Sequence, residues 1–173
     1  MGGIPRMLAI MVSIIITVIG LAFLASYITG AFSGAKASQA TSELSTVISN
    51  TQGLYANQPT FAGLNETVAV QGGVFPSNMV ILSTNTAYDP WNGAVKVAAA
   101  STATQSTPTE FTVEFDGVPV HACDKLAISY NSSNLVSLTI NGNSITIPPT
   151  ISEVVSSSGG CAVGSNILIW TLN

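Results

Sequence analysis

The hydrophobic pattern is dominated by a long apolar run near the N-terminus. No charged residue occurs between Arg6 and Lys36, and residues 7–28 read MLAIMVSIIITVIGLAFLASYI. About 22 helical residues at 1.5 Å each span on the order of 33 Å, enough to cross a hydrocarbon core of about 30 Å. The pattern therefore predicts a transmembrane helix over about residues 7–28.

A cleavable secretory signal is the competing interpretation of the same run. Arg6 supplies a short basic region before it, and Ala35-Lys36-Ala37 has the small-x-small form of a cleavage site. The apolar run is, however, longer than the roughly 7–15 residues usual in a signal peptide. We therefore favour the membrane helix.

Helical spacing continues beyond the apolar run. Apolar and small positions recur at i, i+3, i+4 and i+7, namely Leu44, Val47, Ile48, Thr51, Leu54 and Tyr55. Pro5 is tolerated in a first helical turn, and Gly53 with residues 57–59 supplies a stop signal. The sequence predicts one long N-terminal helix ending near residue 55, apolar all round in its first half and amphipathic in its second.

The remaining region, residues 56–173, carries β-strand signals. Residues 110–115 alternate with period two, and Asn141-Gly142 favours the positive φ angles of a hairpin turn. The predicted elements are strands at 94–98, 110–115, 135–140, 144–147 and 166–171, a short helix at 122–130 and a turn at 89–93. The predicted fold is α+β, with the long helix of region 1–55 packed on an antiparallel sheet in a globular head, 56–173.

Charged side chains are scarce, and this excludes several functions. They form 7% of the chain, with four Lys and Arg and a net charge of -4, too few cations to neutralise a phosphate backbone. Nucleic-acid binding by this chain is therefore excluded. One histidine and eight acidic residues, without a nucleophile elbow or nucleotide-binding loop, predict no enzymatic activity and no cofactor.

Cys123 and Cys161, the two cysteines of the chain, follow the long helix. They are either buried free thiols or partners in one disulfide. A membrane anchor followed by a polar head is typical of an exported protein, where disulfides persist, so the disulfide is favoured. With His121 as the further soft ligand, a structural zinc site lacks a fourth partner, and no metal is predicted.

Several short motifs follow the apolar helix in a distinctive order. They are LSTVISNTQGLY at 44–55, GGVFPSNM at 72–79, DPWNGAV at 89–95, Val118-Pro119, CDKL at 123–126 and Cys161. In this order and spacing the chain resembles the type IV pilins of the type IVb branch, most closely the major pilins of thin and conjugative pili. The resemblance covers nearly the whole chain.

The resemblance implies a life cycle. A prepilin is cleaved and N-methylated by a prepilin peptidase, held in the bacterial inner membrane and extruded by the assembly machinery. The product is a homo-oligomeric helical filament on the cell surface, with helices in its core and heads outside, used for cell contact, adhesion or conjugative mating. A minor or tip pilin, or a pseudopilin of a type II-like secretion system, is the alternative. An anchored binding domain and an anchored enzyme are less favoured.

One position departs from the family pattern. Family members usually carry glutamate as the fifth residue of the mature chain, but with Met1 as the processed, methylated N-terminus the fifth residue is Pro5, followed by Arg6. Cleavage before Ile4 would make Leu8 the fifth residue instead. The missing carboxylate leaves a cluster of positive charge that needs an acceptor in a filament core. This departure favours the minor-pilin alternative, whereas the low charge of the head favours a major subunit.

Filament assembly would transfer the apolar helix from lipid to a protein core. The hydrophobic gain is then small, and close helix packing through small residues decides stability. The residues predicted to act in filament-core assembly are Pro5, Arg6, Ala9, Ser13, Gly20 and Ala25.

Overall fold

The computed structural model describes residues 34–101, 106–155, 160–161 and 164–173. The chain divides into two units, Met1–Ala35 and Lys36–Asn173. The second unit contains a seven-stranded antiparallel sheet within the described residues, together with the helix that precedes it. The predicted α+β class is confirmed.

Helix α1 occupies residues 34–54 in the described part of the chain. One stripe of its surface is buried, formed by Ala37, Ala40, Leu44, Val47, Ile48 and Thr51. The helix ends in a turn at 55–57, just before Pro59, as its stop signals predict. Leu54 departs from the prediction, because it is 41% exposed at the last turn rather than buried.

The sheet contains every strand that the alternating pattern predicts. Its strands are β1 (Val80–Ile81), β2 (Thr86–Tyr88), β3 (Ala94–Ala100), β4 (Glu110–Pro119), β5 (Leu135–Ile140), β6 (Asn143–Ile145) and β7 (Ser165–Leu172). Their order is β1-β2-β3-β4-β7-β5-β6. The last strand therefore lies inside the sheet and pairs with both β4 and β5.

Alternation along β4 and β7 builds the core under the sheet. Phe111, Val113 and Phe115 of β4 are buried, and so are Leu168 and Trp170 of β7. These side chains and the buried stripe of α1 belong to one hydrophobic cluster, in which the rings of Phe115 and Trp170 meet edge to face with centroids 5.8 Å apart. Helix α1 is thus part of the head's core.

The β5–β6 hairpin forms as the sequence predicts. Asn141 and Gly142 have φ angles of 53° and 82°, the left-handed values that a tight hairpin turn requires. The Asn141 amide donates to Asn166 Oδ1 over 2.9 Å, and Asn166 in turn donates to the carbonyl of Val118 over 3.0 Å. A polar network therefore fastens the hairpin turn to β7 and β4.

Three short helices complete the described structure. They are α2 (Glu66–Gln71), α3 (Val120–Ser129) and α4 (Ile151–Val154). Helix α3 corresponds to the helix predicted at 122–130, and it begins two residues before that range. Helices α2 and α4 and strands β1 and β2 were not predicted, since elements of two to six residues carry too few periodic positions.

Different elements flank the buried stripe of α1 on its two sides. On one side the Asn50 amide donates to the carbonyl of Val74 over 3.0 Å, which holds the segment 72–79 against the helix. On the other side Thr41 Oγ1 lies 3.3 Å from Ser129 Oγ at the end of α3. We call these the loop flank and the α3 flank of the head.

Candidate assembly surfaces of the head

The Cys123–Cys161 disulfide is present, as predicted, with Cα atoms 5.8 Å apart. It ties α3 to the chain that follows α4. The Cys161 N–H also donates to the carbonyl of Val154 over 2.6 Å, and a Cβ at Gly160 would lie 1.7 Å from that carbonyl oxygen. The glycine therefore lets the backbone come close enough for the disulfide.

A cleft of about 320 Å³ opens on the loop flank between α1 and the segment 72–79. Its lining residues are Gln39, Ser42, Glu43, Thr46, Pro76 and Asn78, and we call it the Glu43 cleft. Glu43 is its one charged lining residue and is only 5% exposed.

The carboxylate of Glu43 is incompletely satisfied. Gln39 Nε2 and Asn78 Nδ2 both donate to its Oε1, over 2.7 and 2.6 Å. Its Oε2 is buried and accepts no hydrogen bond from the described residues. A buried charged oxygen without a donor is costly, so the cleft is suited to accept a further donor or cation.

Asp89 is a second buried carboxylate, in the turn between β2 and β3. Its Oδ1 accepts the N–H groups of Trp91 and Gly93, each over 2.8 Å, whereas Oδ2 is buried and without a donor in the described structure. Burial raises the pKa of Asp89 to about 6, against the lowering effect of the two backbone hydrogen bonds, and the nearby charges of Glu43 and Asp116 raise it further. This carboxyl group therefore titrates close to neutral pH.

The remaining polar candidates do not converge on a chemical site. Glu114 forms an ion pair with Lys96 on the outer face of the sheet, N to O 2.6 Å, and this hydrogen bond raises the pKa of Lys96. Asp124 accepts the backbone N–H of Lys125, and His121 is exposed. Among the described residues no group of three His, Cys, Asp or Glu side chains could hold a metal ion.

The exposed side of α3 offers one side chain of opposite charge, Lys125, beside the half-buried Asp124. It consists of His121, Lys125 and Ile128, and we call it the α3 face. Lys125 is one of three lysines in the described residues, with Lys36 and Lys96, and only Lys96 forms an ion pair there.

A larger cleft of about 550 Å³ lies where α1 meets α2. The exposed side chains of Leu54 and Val68 help to line it. Leu54 therefore faces this cleft rather than the buried stripe of α1. It contains no charged lining residue.

The predicted N-terminal site residues lie outside the described residues and stay predictions. These are Met1, Pro5, Arg6, Ala9, Ser13, Gly20 and Ala25, together with the apolar run 7–28. Within the described ranges, no helix is long and apolar enough to span a bilayer.

Sequence reasoning missed Glu43 and the burial of Asp89. Glu43 lies one turn before Val47 at the margin of the apolar stripe, so its position alone did not distinguish a solvated from a buried side chain. A usable signal was present for α2, since Asn65 caps it by accepting the N–H of Val68 over 3.0 Å.

Comparison with known proteins agrees with this architecture. The family model named Bundlin matches residues 30–173. A type IVb pilin from Salmonella typhi matches with a TM-score of 0.62 and 21% identity, over 79% of this chain and 99% of that one. TcpA, a type IV pilin from Vibrio cholerae El Tor biotype, matches with a TM-score of 0.55 and 11% identity, over 80% and 99%. No curated protein sequence matches the chain.

Proposed function

The chain belongs to the bundlin family and is a type IV pilin of the type IVb branch, and from this premise we propose that it is the major subunit of its pilus. In this role it polymerises into an extracellular filament used for cell contact, adhesion or conjugative mating. The family match over residues 30–173 carries the pilin assignment, and the low proportion of charged residues is the observation that supports the major role.

The scarcity of charge supports a major subunit. Side chains that are buried against neighbouring copies must lose their water, and charged groups are depleted where surfaces become fully buried. Only 7% of this chain is charged, so a head packed between copies leaves few ions to desolvate. We expect its role to be structural, without catalysis and without a cofactor.

The N-terminal region supplies the proposed anchor and filament core. Residues 7–28 are apolar enough to hold the precursor in the inner membrane, where a prepilin peptidase would process and methylate Met1 before the assembly machinery extracts the subunit. In the filament, Ala9, Ser13, Gly20 and Ala25 would allow neighbouring helices to approach closely.

A minor or tip pilin is the second candidate, and Pro5 is the observation that favours it. The family's usual glutamate in this place is thought to pair with a neighbour's N-terminal amine, and a subunit at the tip has no neighbour ahead of it. If this chain is nevertheless the major subunit, Arg6 and the amine find another acceptor in the filament core.

Subunit stoichiometry tests the proposal. Filaments sheared from cells that express the chain are separated from membranes, and their protein is quantified by mass spectrometry. The proposal expects this chain to form the bulk of the filament protein, and deletion of its gene to remove the filaments. A trace amount in filaments built of another pilin would instead assign the chain to the minor class.

A further inference from the structure

The Glu43 cleft and the α3 face carry opposite charges on opposite flanks of one head. At 100° per residue, Thr41 and Glu43 point about 160° apart around α1. Thr41 contacts Ser129 at the end of α3, whereas Glu43 binds Asn78 of the segment 72–79. The two surfaces are therefore out of reach of each other within one copy.

We propose that the Glu43 cleft of one copy receives the Lys125 ammonium group of a second copy. The inference rests on the proposed function, because it specifies a contact between copies in the filament. It assigns to this surface a partner of defined chemistry, a lysine side chain on the α3 face.

The cleft needs a donor that the described residues of its own copy do not supply. Glu43 is nine-tenths buried, its Oε2 has no hydrogen-bond partner in the described structure, and both of its existing donors are neutral amides on Oε1. The buried Asp89 adds negative charge nearby. An incoming ammonium group would supply the missing charge to this carboxylate, and its hydrogen bond to Oε2 requires a rotation of the Glu43 carboxylate, because Oε2 is closed to solvent.

The choice of lysine follows from position and pairing. Lys96 is already paired with Glu114. Lys36 lies seven residues before Glu43, which places it on the same side of α1 as the cleft. Lys125 lies on the other flank, is exposed, and has no ion-pair partner in the described residues.

A contact between two different flanks has a structural consequence. Such a heterologous contact repeats from copy to copy, and it builds an open helical filament whenever the rotation does not close into a ring. The Glu43 cleft of one copy would therefore bind Lys125 of the next copy at every step of the assembly rather than in a single dimer.

The first test compares Lys125→Glu with Lys36→Glu in the full-length chain expressed in cells. Both lysines are exposed and unpaired in the described structure, so neither change is expected to affect folding. We expect Lys125→Glu to lower the yield of sheared filaments about tenfold, the change that corresponds to 1.4 kcal/mol, and Lys36→Glu to stay near wild type. Normal yield from Lys125→Glu, or an equal loss from Lys36→Glu, would overturn the pairing.

The second test separates assembly from folding at the acceptor. Glu43→Gln keeps the shape and the acceptor oxygen for Gln39 and Asn78 but removes the buried charge. Thermal stability of the full-length chain in detergent should stay the same or rise, while filament yield falls about tenfold. A parallel loss of stability and yield would show that Glu43 only holds the head together.

These outcomes are distinct from a failure of the proposed function. If the wild-type chain forms no filaments, the major-pilin proposal itself is wrong. If wild-type and Lys125→Glu filaments are equally abundant, the proposed function is unaffected and only the proposed contact between Glu43 and Lys125 is wrong.

Discussion

At the residue scale, Asp89 stabilises a turn through its hydrogen bonds, but the burial of its charge is unfavourable. Its Oδ1 receives two backbone N–H groups that fix residues 89–93, and its Oδ2 is buried without a donor. The turn gains order, whereas the ionised carboxylate loses hydration at Oδ2 that no donor among the described residues replaces.

This arrangement predicts a pH dependence of stability with a definite sign. The folded-state pKa of about 6 lies above the unfolded value of 3.8, so the stabilisation is fully present below 3.8 and is lost as pH rises through 6. From this group we expect the unfolding free energy to be larger at about pH 4 than at about pH 7.5, by on the order of 1–3 kcal/mol. Chemical unfolding of the full-length chain in detergent at both pH values measures this difference in unfolding free energy.

Asp89→Asn is the matched control, because the amide keeps an acceptor for the two N–H groups and does not titrate. It should flatten the stability difference between the two pH values. An identical pH dependence in wild type and Asp89→Asn would mean that another group is responsible.

Gly93 is required for a close approach in the same turn. An added Cβ would lie 1.7 Å from the carbonyl oxygen of Asp116, so Gly93→Ala must push β4 and the turn apart. We expect a loss of about 3 kcal/mol or more in unfolding free energy, measured by tryptophan fluorescence.

Gly53 provides the contrast, since a Cβ there meets nothing within 4 Å and the residue is helical. Gly53→Ala should stabilise by about 0.5–1 kcal/mol. Equal effects of the two substitutions would contradict the steric account of Gly93.

At the element scale, the disulfide joins α3, which has four buried residues, to the segment after α4, a helix that contributes little packing of its own. Helix α4 has four residues, of which Val154 is the buried one. Glu153 of this helix accepts hydrogen bonds from Thr146, which lower the pKa of its carboxyl group. The link from Cys123 to Cys161 therefore fastens the segment around α4 to α3, which is itself anchored in the core.

Replacing both cysteines by serine, Cys123→Ser with Cys161→Ser, should lower the unfolding free energy by roughly 3–4 kcal/mol, as expected for a closed loop of 38 residues. Pilus yield should fall with it. Wild-type protein treated with reductant is the control, and it should show a similar loss. Unchanged thermal stability of the double variant would contradict a stabilising role.

Elements were predictable from sequence where side-chain alternation is long enough to specify a face. Strand β4 and the β5–β6 hairpin are examples, one from its alternating run and the other from Asn141-Gly142. The position of β7 between β4 and β5 was not predictable, because local periodicity does not record which strands pair. The buried carboxylates escaped prediction for the same reason, since Glu43 is covered by the distant segment 72–79 and the turn of Asp89 packs against β4 at Asp116.

At the scale of the whole molecule, the proposed assembly depends on an N-terminal helix over residues 7–28 whose packing partners would be other copies. In the proposed pathway these apolar side chains would leave lipid for protein, and because the net hydrophobic gain would be small, close helix packing would decide stability. The small residues of 7–28 should therefore be more sensitive to enlargement than the large ones.

Ala9→Phe and Gly20→Leu should each impair filament assembly while membrane insertion stays intact, because a larger side chain keeps the segment apolar but prevents close helix approach. Membrane fractionation and counts of filaments by electron microscopy measure the two properties separately. Ile15→Leu conserves volume and should assemble normally. Normal piliation in both enlarged variants would rule out close packing at these positions.

The most direct measurement is a near-atomic cryo-electron microscopy map of filaments sheared from cells expressing the wild-type chain. We predict that one repeating subunit fits residues 34–173 in the outer density, with the helices of 7–28 packed together along the axis. A filament whose repeating subunit is a different protein, or one in which residues 7–28 lie outside the core, would contradict it.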